Sequence, residues 1–286
     1  MDVGGDERAR GAAGLGGTVG LKRIALGVEY HGGDFLGWQS QPCGNTVQDT
    51  LEAALARIAG HPVGVLAAGR TDAGVHATGQ VVHFDTSAQR PLSAWVRGVN
   101  AFLPPTVAVR WAHPVSMDFH ARFSAFSRAY CYRLLNRPVR PALAAGQVGW
   151  YHAPLSLAAM QEAASLLLGT HDFSSFRAAA CQAKSPVKTL SRFTIHAHGD
   201  ELVFQLEANA FLHHMVRNLV GALVYIGKGH YPPHWILDLL AARNRTHAPP
   251  TFMPDGLCLV GVGYPAHFRL PSTAPVALNG DRKSVV

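Results

Sequence analysis

Apolar residues alternate with a period of two at Ile24, Leu26, Val28 and Tyr30, then recur with a helical period at Val47, Leu51, Leu55 and Ile58. A chain that switches period in this way must build a sheet with helices packed on it. Asn45 and Gln48 suggest a capping box at the start of that helix, and Gly60 and Pro62 stop it. Strands are expected at 63–66 and 78–85, a helix over 92–102, and a further strand through Val107, Val109 and Trp111. The order β-α-β-β-α-β is the split-βαβ, ferredoxin-like arrangement. The second half repeats it more loosely. A strand runs through Tyr130, Tyr132 and Leu134, and a helix through Leu157, Met160, Ala164 and Leu167, ended by Gly169. A hairpin joins 189–198 to 201–208 at Gly199-Asp200, and Val216, Leu219, Val220 and Leu223 mark an amphipathic helix. Residues 257–263 form a last strand. The predicted halves are 21–115 and 116–270, between tails at 1–20 and 271–286 that read as flexible.

The chain has 286 residues, 48% of them hydrophobic, enough for a sizeable core. With 29 glycines and 18 prolines it lies well below the low-complexity range. A net charge of +7 favours a polyanionic partner. The cysteines, Cys43, Cys131, Cys181 and Cys258, are far apart and form no C-x-x-C pair, so neither a disulfide framework nor a cysteine zinc site is expected. The longest apolar stretch, 219–227, falls short of the ~20 residues of a membrane helix. The first twenty residues lack the apolar core of a signal peptide. A soluble, cytoplasmic protein is expected.

Three stretches carry chemistry. The first, Ala68 to Gln80, packs glycines, Arg70, Asp72 and His76 into one strand-to-strand loop. Turn geometry accounts for glycines and an aspartate in such a place. An aspartate held beside a cation can also serve as nucleophile or base. The second runs from 110 to 140, with six arginines, one acid (Asp118) and interleaved aromatics. It suits RNA, since phosphates need cations and splayed bases stack on aromatic faces; a strand with one basic, solvated face is the plainer reading. The third is Asn209 to Asn218, where His213, His214 and Arg217 share one flank. The paired histidines, here and at His196 and His198, lack the spacing of known zinc sites, so capping, packing and surface roles are expected and no metal. Asp72 is the expected partner of Arg217.

At these residues the sequence resembles the tRNA pseudouridine synthase A family. AGRTDAGVHATGQVVHF is similar to that family's catalytic motif. EYHGGDFLGWQSQP, NTVQDTLEAAL, DFHARFSA, ANAFLHHMVRN and GLCLVGVGYP match in order, over about residues 21–270. The resemblance implies an α+β fold of two ferredoxin-like (RRM-like) halves, with antiparallel sheets around a central basic cleft. It makes Asp72 the nucleophile that converts uridine to pseudouridine. Tyr130 stacks on the uracil, Arg217 pairs with Asp72, and Leu257 and Leu259 wall the pocket. Arg70 flips the base. Phe119, His120, Arg122, Arg128, Cys181 and Lys184 are expected to touch RNA. The implied partner is the anticodon arm of tRNA, at about positions 38, 39 and 40, bound by a homodimer whose two subunits share one tRNA. At least one basic residue is expected beside the stacking tyrosine in several members of that family, where this chain has Ala129 and Cys131.

Moving the glycosidic link of uridine from N1 to C5 involves no redox change and no phosphoryl transfer, so no cofactor is expected. A base within a stem must leave the stack before an enzyme can reach its sugar. The alternative function is a non-catalytic RNA-binding or tRNA-folding protein, although the RNP1 pattern of a true RRM is absent. A histidine-rich metallohydrolase is a third.

Overall fold

The structure, a computed structural model, describes residues 20–179 and 181–271. The predicted tails, apart from Gly20 and Pro271, lie outside the described residues. In chain order the elements are β1 (Lys22–Tyr30), α1 (Val47–Ala59), β2 (Leu66–Ala67), β3 (His76–Thr86), β4 (Val107–Val115), β5 (Ser127–Asn136), β6 (Gly149–Tyr151), α2 (Leu157–Ser165), β7 (Gly169–Asp172), β8 (Val187–His198), β9 (Glu201–Ala208), α3 (Met215–Gly227), α4 (Trp235–Ala242) and β10 (Leu257–Gly263). Among the described residues no helix is long and apolar enough to cross a membrane.

All ten strands join one mixed but mostly antiparallel sheet, ordered β4-β1-β3-β10-β5-β9-β8-β7, with β2 on β3 and β6 on β5. The expected pair of sheets is thus a single continuous one. The strand order β4-β1-β3-β2 of the first half recurs as β10-β5-β9-β8 in the second. The last strand closes the gap between them. β10 runs parallel to β3, pairing Cys258 with His76 and Leu259 with Ala77. It runs antiparallel to β5, pairing Leu259 with Tyr130 and Leu257 with Tyr132. Gly79 makes this approach possible, because a Cβ there would lie 2.4 Å from the Val260 carbonyl oxygen.

Several local expectations shift. The N-cap of α1 is Thr46, whose hydroxyl accepts the Asp49 N–H at 3.2 Å, rather than Asn45. Asn45 instead donates to the Asp34 carbonyl. The strand expected at 63–66 survives only as Leu66–Ala67, because Val63 and Val65 turn into the core before a ladder forms. The helix expected at 92–102 is a short helical segment with a π turn at Ala94–Gly98. The strands β6 and β7 and the helix α4 have too few periodic residues to have been foreseen.

A single large core holds residues from both halves, including Trp38, Trp95, Tyr132, Phe204 and Leu223. On the reverse face, Cys131 and Cys258 lie opposite each other across β5–β10, in a small cluster with Val203 and Val260. Burial pushes the Cys131 thiol up to about 12 and the Cys258 thiol to about 11, so both stay protonated and inert. All four cysteines are free.

His83 ties the sheet to the segment after β4. Its Nδ1 accepts the Ala121 N–H at 3.1 Å, which requires the neutral ring. Burial, with Arg23 and His120 nearby, lowers its pKa to about 4. The unfolded chain therefore takes up this proton first, near pH 6.5. The stability His83 contributes is full above that pH and is lost as pH falls through 4, on the order of 3 kcal/mol for such a shift. Urea unfolding should show stability falling from pH 6.5 to 4, with a shallower slope in His83→Gln. An equal slope in the variant would remove His83 as the cause.

Candidate active site

The loop joining β2 to β3 is held by its backbone and presents its charged side chains. The Ala68 N–H donates to the Val81 carbonyl at 2.8 Å, and the Gly69 carbonyl accepts from Gln80 Nε2 at 2.7 Å. Thr71 is buried, with its hydroxyl 2.8 Å from that of Tyr30 and its carbonyl accepting the Trp38 N–H at 3.0 Å. Val75 N–H donates to the Asp72 carbonyl, closing a tight turn. Gly37, with φ +95°, packs flat against this turn; a Cβ there would sit 2.9 Å from the Thr71 carbonyl oxygen and would also need a left-handed backbone. The far end is pinned by His76. Its Nδ1 accepts the Gly32 N–H, and its Nε2 faces the carbonyls of Gly146 and Asp255, at 2.9 and 3.0 Å.

Held this way, Asp72 meets the start of α3. Arg217 Nη1 donates to Asp72 Oδ2 at 2.9 Å across 145 residues of sequence. Arg217 Nε donates to the Phe252 carbonyl at 2.8 Å, which fixes the guanidinium in its plane. The pair is largely shielded, with side-chain exposures of 14% for Arg217 and 18% for Asp72. His213 Nε2 lies 3.2 Å from Oδ1, and His214 Nε2 lies 3.4 Å from Oδ2. His214 caps α3 in the left-handed conformation, φ 63°, an uncommon state for this residue type that accumulates at functional sites. Burial holds the His214 pKa below the ordinary histidine value, against the pull of Asp72.

Tyr130 is buried on β5, with Phe211 edge-on at 5.0 Å. Burial, then the neighbouring Tyr30 and Asp72, raise its pKa, so it is a neutral phenol at any physiological pH. Leu259 is its cross-strand neighbour on β10 and Leu257 lies two residues along the same face. Both leucines are buried. The expected charged pair is thus formed, and the aromatic and its apolar wall share one face of the sheet.

The residues expected to touch RNA divide sharply. Arg70 is exposed and makes no hydrogen bond or ion pair among the described residues. Arg122 and Lys184 are also exposed, and His120 is half-buried. Phe119, however, is 0% exposed and packs against His83, Tyr264 and Phe268. It is a core residue, and the aromatic that faces solvent in this motif is Phe123, 75% exposed, against which His120 stacks at 4.3 Å. Cys181 is buried too; its sulfur accepts the His213 N–H, so it supports the site from behind. Ala180 lies outside the described residues.

Arg128 is the largest correction. Its buried guanidinium donates to four carbonyls: Ala125 and Asn209 through Nη1, Ala68 and Arg122 through Nη2. Burial lowers its pKa below the ordinary arginine value, and no carboxylate pairs with it among the described residues. With four of its five N–H donors on backbone carbonyls, this buried cation is held by the frame rather than presented to a phosphate. It clips together the Asp72 loop, the Phe123 loop and the approach to α3. The sequence could not separate this arginine from Arg122, because both sit in one basic run.

Comparison with known sequences agrees with this geometry. The family model described as tRNA pseudouridine synthase matches residues 27–124 and 163–265. The chain belongs to the tRNA pseudouridine synthase family. Among similar relatives, the tRNA pseudouridine synthase A of Chromobacterium violaceum is 67% identical over 89% of this chain and 98% of its own. That of Dechloromonas aromatica is 64% identical over 90% and 98%, and that of Methylobacillus flagellatus 61% over 88% and 96%. In this pseudouridine synthase, sequence reasoning missed His213 and His214 as partners of Asp72. Their place beside Arg217 on one flank was the available signal.

Arg128→Met should cost on the order of 3 kcal/mol or more in chemical denaturation, since hydrogen bonds from a charged group are each worth about 1.5–3 kcal/mol. Arg122→Met, at an exposed position, should stay within about 0.5 kcal/mol of the parent. Equal stability for the two variants would return Arg128 to the surface.

Proposed function

We propose that this chain isomerises uridine to pseudouridine in tRNA, with Asp72 as the nucleophile. The observation that carries the assignment is the Asp72–Arg217 pair, 2.9 Å long and shielded from water. Arg217 keeps one carboxylate oxygen fixed, and His213 and His214 approach from the flank, so the group is aimed before substrate arrives. Such preorganisation suits a carboxylate that must act at a sugar carbon while the bond to N1 is exchanged for one to C5. Tyr130, a neutral phenol, offers its ring face as a platform for the base, and Leu257 and Leu259 form the apolar wall.

The finer reading rests on family membership and on the repeated strand order. The chain is two ferredoxin-like halves, 21–115 and 116–270, around a basic cleft. The substrate is the anticodon arm, at about positions 38, 39 and 40, held by a homodimer in the cytoplasm. Arg70, two residues before Asp72 and without a hydrogen bond or ion pair among the described residues, takes the space the uracil vacates. His120, Arg122 and Lys184 meet the phosphates.

Asp72→Asn is nearly isosteric and keeps the hydrogen-bonded frame, but an amide is a far poorer nucleophile. Release of tritium from 5-tritiated uridine in tRNA should fall at least a thousandfold while tRNA binding survives. Turnover within tenfold of the parent would sink the assignment. Release absent from the parent itself, with tight binding, would leave only the binding alternative.

Arg70→Ala should bind tRNA within about tenfold of the parent, since one phosphate contact among several is lost. Its turnover should collapse at every pH, because an unflipped base still costs a few kcal/mol of unstacking. A substrate with the target uridine unpaired should recover part of the rate. A defect that vanishes on raising the pH would instead assign Arg70 to tuning a titratable group.

A further inference from the structure

Asp72, His213 and His214 offer three metal-ligand atoms within 4.8 Å of one another. A zinc ion held at about 2.0–2.1 Å by nitrogen and oxygen in a tetrahedron needs ligand atoms about 3.3–3.5 Å apart. The contact of His213 Nε2 to Oδ1, 3.2 Å, already lies close to that edge length, while His214 Nε2 lies 3.4 Å from Oδ2, the oxygen that Arg217 also holds. The rings of His213 and His214 lie tilted at 45° with centroids 4.0 Å apart, and both turn Nε2 toward Asp72. The left-handed turn at His214 allows this, since neighbours on a regular helix diverge by about 100°.

We propose that these three side chains bind a borderline divalent ion, Zn²⁺ or Co²⁺, and that its binding reversibly blocks turnover. The ion sits between the two imidazoles and the carboxylate. It takes Asp72 Oδ1, because Arg217 donates to Oδ2, and the His214 ring swings from Oδ2 toward it. Three protein ligands leave one position for water, and His213, 42% exposed, opens the site to solvent. The guanidinium 2.9 Å from the same carboxylate repels the ion, so affinity stays in the range of about 1–100 µM, far weaker than in structural zinc sites. Hard Mg²⁺, which prefers oxygen ligands, is excluded by the two imidazoles. The ion is no part of the reaction. It occupies the group that performs it.

Binding stands on the geometry alone, whereas the block rests on Asp72 being the nucleophile. The full-length protein is titrated with Co²⁺, read by its visible d–d absorption, and with Zn²⁺ by equilibrium dialysis. One equivalent should bind with tetrahedral intensity, and Zn²⁺ should displace Co²⁺. His213→Gln and His214→Gln, each first checked for the parent melting temperature, should weaken binding at least tenfold. Tritium release from tRNA prefolded in excess Mg²⁺ should fall with the same midpoint as the Co²⁺ spectrum and return on adding a chelator. No stoichiometric binding, or binding that both variants keep, overturns the metal site and leaves the isomerase reading standing. Binding lost in both variants but without effect on the parent's turnover overturns the block and speaks against Asp72 as nucleophile.

Discussion

Strand β10 bonds to β3 on one side and to β5 on the other, and the rest of the molecule is organised by that double pairing. Remove it and the two halves lose their common sheet. The Asp72 loop leads into β3, Tyr130 stands on β5, and Leu257 and Leu259 are on β10 itself. The backbone hydrogen bonds of one strand therefore set the relative positions of the Asp72 loop, Tyr130 and the two leucines. The parallel contact is short, two residue pairs, and depends on a glycine on β3 that lets the Val260 carbonyl come close.

The second organising element is ionic. A buried arginine without a carboxylate is costly unless every donor is satisfied. Arg128 offsets most of that cost with four backbone carbonyls from three segments distant in sequence. Arg217 is paired instead, giving one donor to the Asp72 carboxylate and one to the Phe252 carbonyl. One arginine thus fixes the frame of the site and the other fixes its reactive group. Both guanidiniums are committed to holding the site, whereas Arg70 is exposed and makes no hydrogen bond or ion pair among the described residues.

Much of this was legible in the residues. Period-two runs at β1, β5 and β9 placed strands correctly, because burial of one or both faces imposes that spacing. The helical spacing of α1 and α3 was equally clear. The Asp72–Arg217 pairing followed from the cost of leaving a cation on a half-apolar helix. Direction was harder to see. Phe119 and Phe123 occupy the same motif, and only tertiary packing turns one into the core and the other into water. Arg122 and Arg128 differ in the same way. The single sheet was hidden as well, since pairing between β3 and β10 spans about 180 residues and no local pattern reports it. His214 adopts a left-handed backbone that its residue type does not announce.

The strand that unites the sheet is also the last one made. β10 follows nine other strands in sequence, so during synthesis the first half must wait with the inner edge of β3 unpaired. Contacts of such long range form late and slowly. Until they form, Asp72 stands apart from Tyr130 and the two leucines. The site is therefore assembled only once β10 has been made, and a nascent chain halted before residue 257 carries Asp72 and Tyr130 without a common sheet to join them.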